Sequence, residues 1–324
     1  MAAGDKLTIP SNLVPKVWAS KVWHEGKKAS YFDKFTATDG SNIVHVNKDL
    51  SKAKGDSVKF GLQLDLTGAG VTGNTTLKGA EDVLTLYDMS VSVDQVRNAV
   101  VRYDADDQKS PYDNLPMIKN ALIQWFANWQ DNTLITKLTA SPTTGEFISA
   151  ASAGTEVAIT ANDKMTTTLI STAKRKATLH APKVKPLKVD GEDVYIMLVG
   201  TYAARDLKTD SAWLAAQQTA ANRGDTNPLF KGSLGKWDGV VLYEYERISN
   251  TTTGASSANV VHNLLLGQQA ACYAVARDMY PITQEDDYGN VQGNGVAFYG
   301  GIAKSIYNSH DYGVMQVLSG GVVG

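Results

Sequence analysis

Three glycines are the first residues whose spacing could support chemistry. Gly68, Gly70 and Gly73 match the G-x-G-x-x-G pattern in which a turn cradles the pyrophosphate of a dinucleotide. That chemistry needs a helix directly after the turn, because the helix N-terminus binds the phosphate. Residues 74–77 (NTTL) instead open another extended segment. The glycines are therefore predicted to be turn residues with positive φ, and we expect no bound cofactor.

Other residue types that support catalysis or metal binding follow no motif. Asp104 and Asp106 lack the glycine and the closing glutamate of a calcium loop. The five histidines lack the H-x-x-x-H spacing of a zinc site, and the single cysteine, Cys272, excludes an intrachain disulfide. The G-x-S-x-G, P-loop and C-x-x-C motifs are absent from the sequence. We therefore expect no catalytic residue, no metal site and no enzymatic activity.

Length and charge narrow the class of protein. A chain of 324 residues buries about three quarters of its unfolded surface, which suits one large or two connected domains. Its 31 basic and 33 acidic side chains give a net charge of −2, so bulk charge does not indicate a nucleic-acid binder. A signal-peptide pattern and a run of about 18 apolar residues are both missing, which predicts a protein made in a cytoplasm without a membrane segment.

The longest stretch with helical spacing of apolar residues covers 114–138. It carries two apolar stripes: Leu115, Ile118, Leu122, Trp125 and Trp129, and Ile123, Ala127, Leu134 and Leu138. A helix of about 35 Å that is covered on more than one face is therefore expected. Two tryptophans one turn apart also fit a stacking platform for a ligand, but their place on the stripe favours a core of Leu122, Trp125 and Trp129.

Before this helix, apolar side chains occur at every second residue, which is the spacing of a β-strand. Alternating apolar side chains from Val58 to Leu66 predict a half-buried strand, and residues 84–93 predict its return leg. The change of face between Leu86 and Tyr87 predicts a bulge or a change of partner sheet. Because a two-stranded ribbon is marginal alone in water, its apolar side must lie on a surface. That surface belongs either to a neighbouring subunit or to a sheet of the same chain.

Charge is distributed unevenly along the chain. Residues 1–54 contain nine lysines and five acids, whereas residues 81–107 contain seven acids and two arginines. The two segments either meet across a subunit contact, where opposite potentials fix the register, or are solvated separately. Residues 164–188 contain seven basic side chains and no acid. Within them, Lys174, Arg175 and Lys176 are candidates for a phosphate-binding patch, although lysine-rich stretches are also commonly solvated.

Helices are scattered among short strands in the remainder. Residues 11–26 predict a short amphipathic helix on Val14, Trp18 and Val22, and further helices are expected over 162–180 and 209–224. Short strands are expected over 194–199, 240–243, 259–266, 296–299 and 314–318. Because helices and strands do not alternate regularly, the predicted class is α+β.

One block of residues is specific enough to indicate a family. It comprises Asp206-Leu207-Lys208-Thr209-Asp210, Trp213, Arg223-Gly224 and the run Asn227-Pro228-Leu229-Phe230-Lys231-Gly232-Ser233-Leu234-Gly235-Lys236-Trp237-Asp238-Gly239-Val240-Val241. Shorter matches follow the same order: Trp18-Ala19, Ser30-Tyr31-Phe32, Gly55-Asp56, the glycine-rich 68–73, Asp94-Gln95-Val96-Arg97 and the run from Leu265 to Ala270. Together they resemble the major capsid proteins of tailed bacteriophages of the coliphage N-four type.

This resemblance implies the Hong Kong 97-type capsid fold. It assigns 1–44 to an N-terminal arm, 45–93 to an extended β-hairpin loop, 94–160 to a peripheral domain with a spine helix over 114–138, 161–285 mostly to an axial domain, and 286–324 to a return to the peripheral domain. Gly68, Gly70 and Gly73 then form the tip that takes part in assembly, and Lys174, Arg175 and Lys176 face inward.

The implied function is that of a coat subunit in the virion. Such a chain self-assembles into pentamers and hexamers in the host bacterial cytoplasm and encloses double-stranded DNA with weak, nonspecific contacts. Its expected partners are portal, scaffolding and decoration or cement proteins. Two alternatives stay open: an encapsulin-like bacterial compartment and, from the β-rich composition, a carbohydrate-binding module or glycosidase.

Overall fold

A computed structural model describes residue 25 and residues 29–51, 55–64, 66, 68–111, 114–140, 142, 147–189, 191–220 and 234–321. The helices are α1 Asp104–Lys109, α2 Asn114–Thr139, α3 Thr167–Leu179, α4 Thr201–Leu207 and α5 Ser211–Ala220. The strands are β1 Thr36–Ala37, β2 Val44–Asn47, β3 Ser57–Gln63, β4 Leu86–Ser92, β5 Asp94–Tyr103, β6 Phe147–Ser149, β7 Leu187–Val189, β8 Glu192–Val199, β9 Gly235–Trp237, β10 Val240–Glu244, β11 Asn250–Thr251, β12 Asn259–Leu266, β13 Ala271–Asp286, β14 Val291–Lys304, β15 Ile306–Tyr307, β16 His310–Asp311 and β17 Val314–Gly321.

The first large sheet has five strands in the order β1-β2-β13-β14-β5. Its centre is the antiparallel hairpin of β13 and β14, with β2 parallel to β13 and β5 antiparallel to β14. Helix α2 lies on one face of this sheet, where the ring of Phe126 meets Phe298 edge to face at 5.4 Å between centroids. Since aromatic side chains bury large areas, this contact fixes the helix on the sheet.

The long helix is confirmed, but its buried face differs from the expected one. Leu122 is 1% exposed and the second predicted stripe is buried, as expected. Trp125 and Trp129 are only half-buried and pack against the edge of the core, whereas Phe126 is fully buried. The buried arc is centred on the second stripe, so the tryptophans flank it. The prediction that both tryptophans are core residues is therefore wrong, because both are only partly buried and pack against the core from outside.

The second large sheet has eight strands and forms most of the remaining core. Its main order is β6-β17-β12-β8-β10-β9, with β7 added to β8 and β11 to β12. The continuous apolar runs predicted as strands lie at its centre, since Met197, Leu198, Leu264 and Leu265 are fully buried. Parallel pairing of β8 with β10 accounts for strands that are apolar on both faces.

The sheets divide the chain differently from the expected division at residue 285. Strand β13 starts at residue 271 and belongs to the five-stranded sheet, whereas β17 pairs with β12 in the eight-stranded sheet. A buried ion pair explains the return of the chain: Lys304 Nζ lies 2.8 Å from Asp311 and donates to the Ala140 carbonyl at the end of α2. Gln316 of β17 then donates to the Thr139 carbonyl at 2.7 Å. The last strand is thereby directed away from β14, so β14 and β17 of the predicted return segment 286–324 belong to different sheets.

One carboxylate joins the N-termini of two helices. Asp210 accepts hydrogen bonds from the Thr167 N–H at 2.7 Å and from the Thr167 hydroxyl at 2.9 Å, and its other oxygen accepts from the Ala212 N–H. The backbone hydrogen bond from Thr167 lowers the pKa of Asp210, because it stabilises the charged form. Helix α3 begins after Thr166, whose hydroxyl accepts from the Leu169 N–H, and not at the predicted residue 162.

Some expectations fall outside the described residues. The amphipathic helix over 11–26 and the C-terminal end of the helix predicted over 209–224 lie there. Among the described residues, no helix is both long and apolar enough to cross a membrane.

Candidate assembly surfaces

The base of the ribbon formed by β3 and β4 is packed on its own chain. Val58, Phe60 and Val91 are 5%, 3% and 2% exposed and pack on Cys272 and Ala274 of β13. The ladder keeps one register from the Ser57–Ser92 pair to the Gln63–Leu86 pair, and β4 keeps β3 as its partner. The predicted bulge or change of partner sheet near Leu86 is therefore wrong. Leu86 faces solvent instead. For the base, the predicted surface is therefore a sheet of the same chain.

Beyond the base, the same ribbon exposes apolar side chains. The described residues between Leu64 and Thr85 form no strand. Leu66, Val83 and Leu86 are 61%, 78% and 65% exposed, and Leu77 and Leu84 are also at least half exposed. We call these five residues the ribbon tip. Several exposed large aliphatic side chains within one short segment are typical of a protein contact.

Glycines shape the tip, but not all in the predicted way. Gly70 and Gly73 have φ values of +67° and +69°, which confirms the prediction of turn residues in the left-handed region. Gly68 does not have positive φ; its N–H donates to Asp82 at 2.6 Å, and a β-carbon there would lie 2.7 Å from the same oxygen. Gly79, with φ of +90°, is a turn glycine that the motif missed. The described residues after Gly73 are not helical, so the geometry lacks a phosphate-binding helix N-terminus.

A second exposed apolar surface lies on the five-stranded sheet. Because side chains alternate along β14, Gly293, Gly295 and Tyr299 share the face that the ribbon base covers at Ala303. On the neighbouring strands, the residues paired with this face of β14 are of two kinds. Ala99, Val101, Tyr103, Tyr280 and Ile282 are apolar or aromatic, whereas Gln95, Arg97, Arg277 and Gln284 are polar or charged. Val101 is 58% and Tyr103 51% exposed. We call this the outer face: the glycines of β14 with their apolar, aromatic and polar neighbours on β5 and β13.

Comparison with known proteins decides the family. The model of the family described as phage capsid protein matches residues 7–145 and 140–322. This chain belongs to the phage capsid protein family. The major capsid protein of Pseudomonas phage KPP25 is 27% identical over 93% of each chain. The capsid protein is thus a structural component of a phage virion, and the predicted resemblance to tailed-phage major capsid proteins is confirmed.

Solved structures agree with this assignment at the level of the fold. The capsid of Ralstonia phage GP4 superposes with a TM-score of 0.82 at 24% identity and covers 99% of both chains. The capsid of cyanophage Pam1 gives a TM-score of 0.81 at 23% identity, covering 92% of this chain and 93% of the other. The predicted α+β class and Hong Kong 97-type capsid fold are confirmed. The compartment and carbohydrate alternatives are not favoured.

The predicted basic patch of the capsid protein is not one surface. Lys174 donates to Asp238 at 2.7 Å and Lys176 donates to the Phe147 carbonyl at 2.9 Å, whereas Arg175 is exposed. Consecutive residues on a helix point about 100° apart, so three in a row cannot share one face. The structure therefore does not bring the three cations together for a phosphate.

Polar contacts hold residues 30 and 31 on the spine helix. Sequence patterns could not reveal these contacts. Buried Asp131 of α2 accepts from the Ser30 hydroxyl at 2.6 Å and from the Tyr31 N–H at 3.0 Å. Burial raises the pKa of Tyr31 to about 12, so this phenol stays neutral. The Lys34 ammonium lies 4.2 Å from the centre of the Tyr31 ring. The C-terminal part of the predicted arm is thus fixed at the middle of the long helix.

The described part of the chain contains no cluster of side chains that could bind a metal ion. There, no three His, Cys, Asp or Glu side chains lie close enough together to hold an ion. Burial raises the pKa of the Cys272 thiol to about 11, which makes the thiolate scarce at neutral pH.

Proposed function

We propose that this capsid protein self-assembles into pentamers and hexamers that close an icosahedral head shell around the double-stranded DNA of a tailed phage. The family and the fold support a coat subunit. The observation that carries the proposal is the ribbon, whose base is buried in its own chain while its tip exposes Leu66, Val83 and Leu86. An apolar tip held away from its own core needs another copy to cover it.

The ribbon tip of one copy lies, in this proposal, on the outer face of a neighbour. The tip offers aliphatic side chains, and the outer face offers a glycine strip bordered by Val101, Tyr103 and Ile282. Covering a leucine or valine fully is worth about 1.5–3 kcal/mol, so five such residues are a large driving force for association. The contact joins unlike surfaces, and repeated contacts of this type close into rings.

The two sheets support a division of the capsid protein into domains. We assign the arm to residues 1–44, the extended loop to 45–93, and the peripheral domain to the spine helix with β5, β13 and β14 of the five-stranded sheet. We assign the axial domain to the eight-stranded sheet. Relative to the sequence-based division, we place β13 in the peripheral domain and β17 in the axial domain, which their strand pairing supports.

Contacts with DNA are weak and nonspecific in this proposal. The net charge of −2 suits a wall that encloses DNA without binding it tightly. Lys174 and Lys176 contact their own chain, which agrees with weak contact. Assembly takes place in the cytoplasm of a bacterial host, with portal, scaffolding and decoration or cement proteins as partners.

Negative-stain electron microscopy of the purified chain tests the proposal. We expect closed particles from the unaltered chain and soluble, folded subunits without particles after deletion of residues 68–74. As a matched control, Leu179→Ser changes an apolar residue that is 77% exposed but lies outside the ribbon, and particles should form normally. Normal particles from the deletion variant would contradict the role of the ribbon. Particles that hold a cargo enzyme instead of DNA would favour a bacterial compartment.

A further inference from the structure

A cavity between the ribbon base and the body carries no assigned role. Its volume is about 430 Å³, and it opens to solvent beside the turn between β15 and β16. Leu62, Tyr87 and Tyr307 form an apolar wall, and Lys183, Lys185 and His310 form a basic rim. None of the described residues that line it is an aspartate or glutamate. We call it the ribbon pocket; it suits a group with an apolar body and negative charge beside it.

A matching group lies on the turn between β13 and β14. Tyr288 is fully exposed, and it follows exposed Glu285, Asp286 and Asp287. Asp287 and Tyr288 have φ values of +50° and +52°, a region that disfavours bulky side chains. Such local strain, together with an aromatic ring left in water, indicates a functional contact. We call residues 285–288 the acidic turn.

The acidic turn cannot enter the ribbon pocket of its own chain. Strand β13 starts beside the pocket, where the Ser305 N–H donates to the Ala270 carbonyl at 3.1 Å just before Tyr307. It then runs for 16 residues to Asp286. At about 3.3 Å per residue, the turn lies about 50 Å from the pocket. One hairpin therefore holds two complementary surfaces at its opposite ends.

We propose that the ribbon pocket binds the acidic turn of another copy of this chain. The Tyr288 ring packs on the wall of Leu62 and Tyr307, and the carboxylates lie beside Lys183 and Lys185. This inference rests on the proposed function, since it requires a multi-subunit shell, but it uses the ribbon base and not the ribbon tip. Because the two surfaces differ, the contact is head to tail and repeats from copy to copy.

Cysteine pairing tests the contact directly. Chains carrying Tyr288→Cys are mixed with chains carrying Asn308→Cys, which lies at the pocket mouth, and are assembled under mild oxidation. We expect a disulfide-linked dimer on a non-reducing gel, with little background because Cys272 is buried. A mixture of Tyr288→Cys with Val157→Cys, a residue that is 71% exposed elsewhere, should not form it. Linkage of Tyr288→Cys chains to one another at equal yield would overturn the proposal.

Charge reversal gives a second, independent test. Lys183→Glu with Lys185→Glu should lower the yield of sedimenting shells at least fivefold, and adding Glu285→Lys with Asp286→Lys should restore it. Lys188→Glu, an exposed residue outside the pocket, is the matched control. Circular dichroism establishes that each variant is folded. Full shell yield from the Lys183→Glu, Lys185→Glu variant would overturn this contact alone, whereas absence of shells from the unaltered chain would overturn the proposed function.

Discussion

The two halves of the ribbon have the same sequence pattern but different surroundings. At the base, Val58, Phe60 and Leu62 alternate with polar residues and are each less than 8% exposed. At the tip, Leu66 continues the same alternation and is 61% exposed. Alternation therefore predicts which side of a strand needs an apolar cover, but not whether the cover belongs to the same chain. In the proposed shell, the base stabilises the subunit and the tip contacts a neighbouring copy.

The largest expected effect is at the base. Phe60→Ala removes a ring that is 3% exposed and lies 5.2 Å from the His45 ring. It should lower the free energy of unfolding by about 3–5 kcal/mol, the usual cost of an aromatic-to-alanine change in a core. Urea unfolding of unassembled subunits that carry the 68–74 deletion measures it. A loss below about 1 kcal/mol, the size typical of exposed sites, would show that base and tip do not differ.

The next effect in size is the difference in stability loss between two aromatic residues of the spine helix. Phe126 is fully buried, whereas Trp125 is half-buried. Phe126→Ala should cost about 3–5 kcal/mol, and Trp125→Ala about half of that, because less apolar area is lost. Urea unfolding of both variants gives the ratio. Equal losses would return Trp125 to the core and remove the contrast between the two positions.

Within the body, Asp210 supplies a pH-dependent contribution. Its pKa is lowered by the hydrogen bonds from Thr167, so its stabilisation is full above the ordinary value of 3.8 and is lost as pH falls through the folded-state pKa. Asp210→Asn keeps an acceptor oxygen but removes the charge, so it should cost about 0.3–1 kcal/mol at pH 7, the usual contribution of a negative charge at a helix N-terminus. The difference between the two proteins should shrink toward zero in acid. Thermal unfolding between pH 7 and pH 2 measures it, and a constant difference would contradict the account.

The smallest effect on the subunit is expected at the tip. Leu86→Ser changes a residue that is 65% exposed, so it should alter the free energy of unfolding by no more than about 0.5 kcal/mol. Shell yield should nevertheless fall, because the tip loses apolar area in the contact with a neighbour. Urea unfolding and sedimentation on the same preparation separate the two effects. A stability loss as large as that of Phe60→Ala would remove the difference between base and tip.

Much of the fold follows from long, uninterrupted patterns. The spine helix and the strands over 194–199 and 259–266 were predictable because each presents an unbroken helical or apolar run. Strand β13 was not, since Pro281 and the register shifts near Arg277 interrupt its alternation. The wider fold and the function were accessible through the family resemblance in the block after Asp206, and not through periodicity.

Less of the candidate sites than of the fold could be predicted from the sequence. The positive φ of Gly70 and Gly73 could be predicted from local turn chemistry. Contacts between distant residues could not: Asp131 meets Ser30 across 101 positions, and nothing local marks either one as a partner. The ribbon pocket is assembled from four separate segments of the chain, so its basic rim and apolar wall become one site only in the folded structure.

Hydroxyl-radical footprinting of side chains measures whether a neighbouring copy covers the ribbon tip in the shell. Oxidation rates of the tip leucines Leu66, Leu77, Leu84 and Leu86 are compared between unassembled subunits and purified shells, with Phe60 and Val58 of the base as internal references. We predict that the tip residues become strongly protected in shells while the base residues are protected equally in both states. Equal oxidation of the tip in subunits and in shells would contradict the claim that a neighbouring copy covers it.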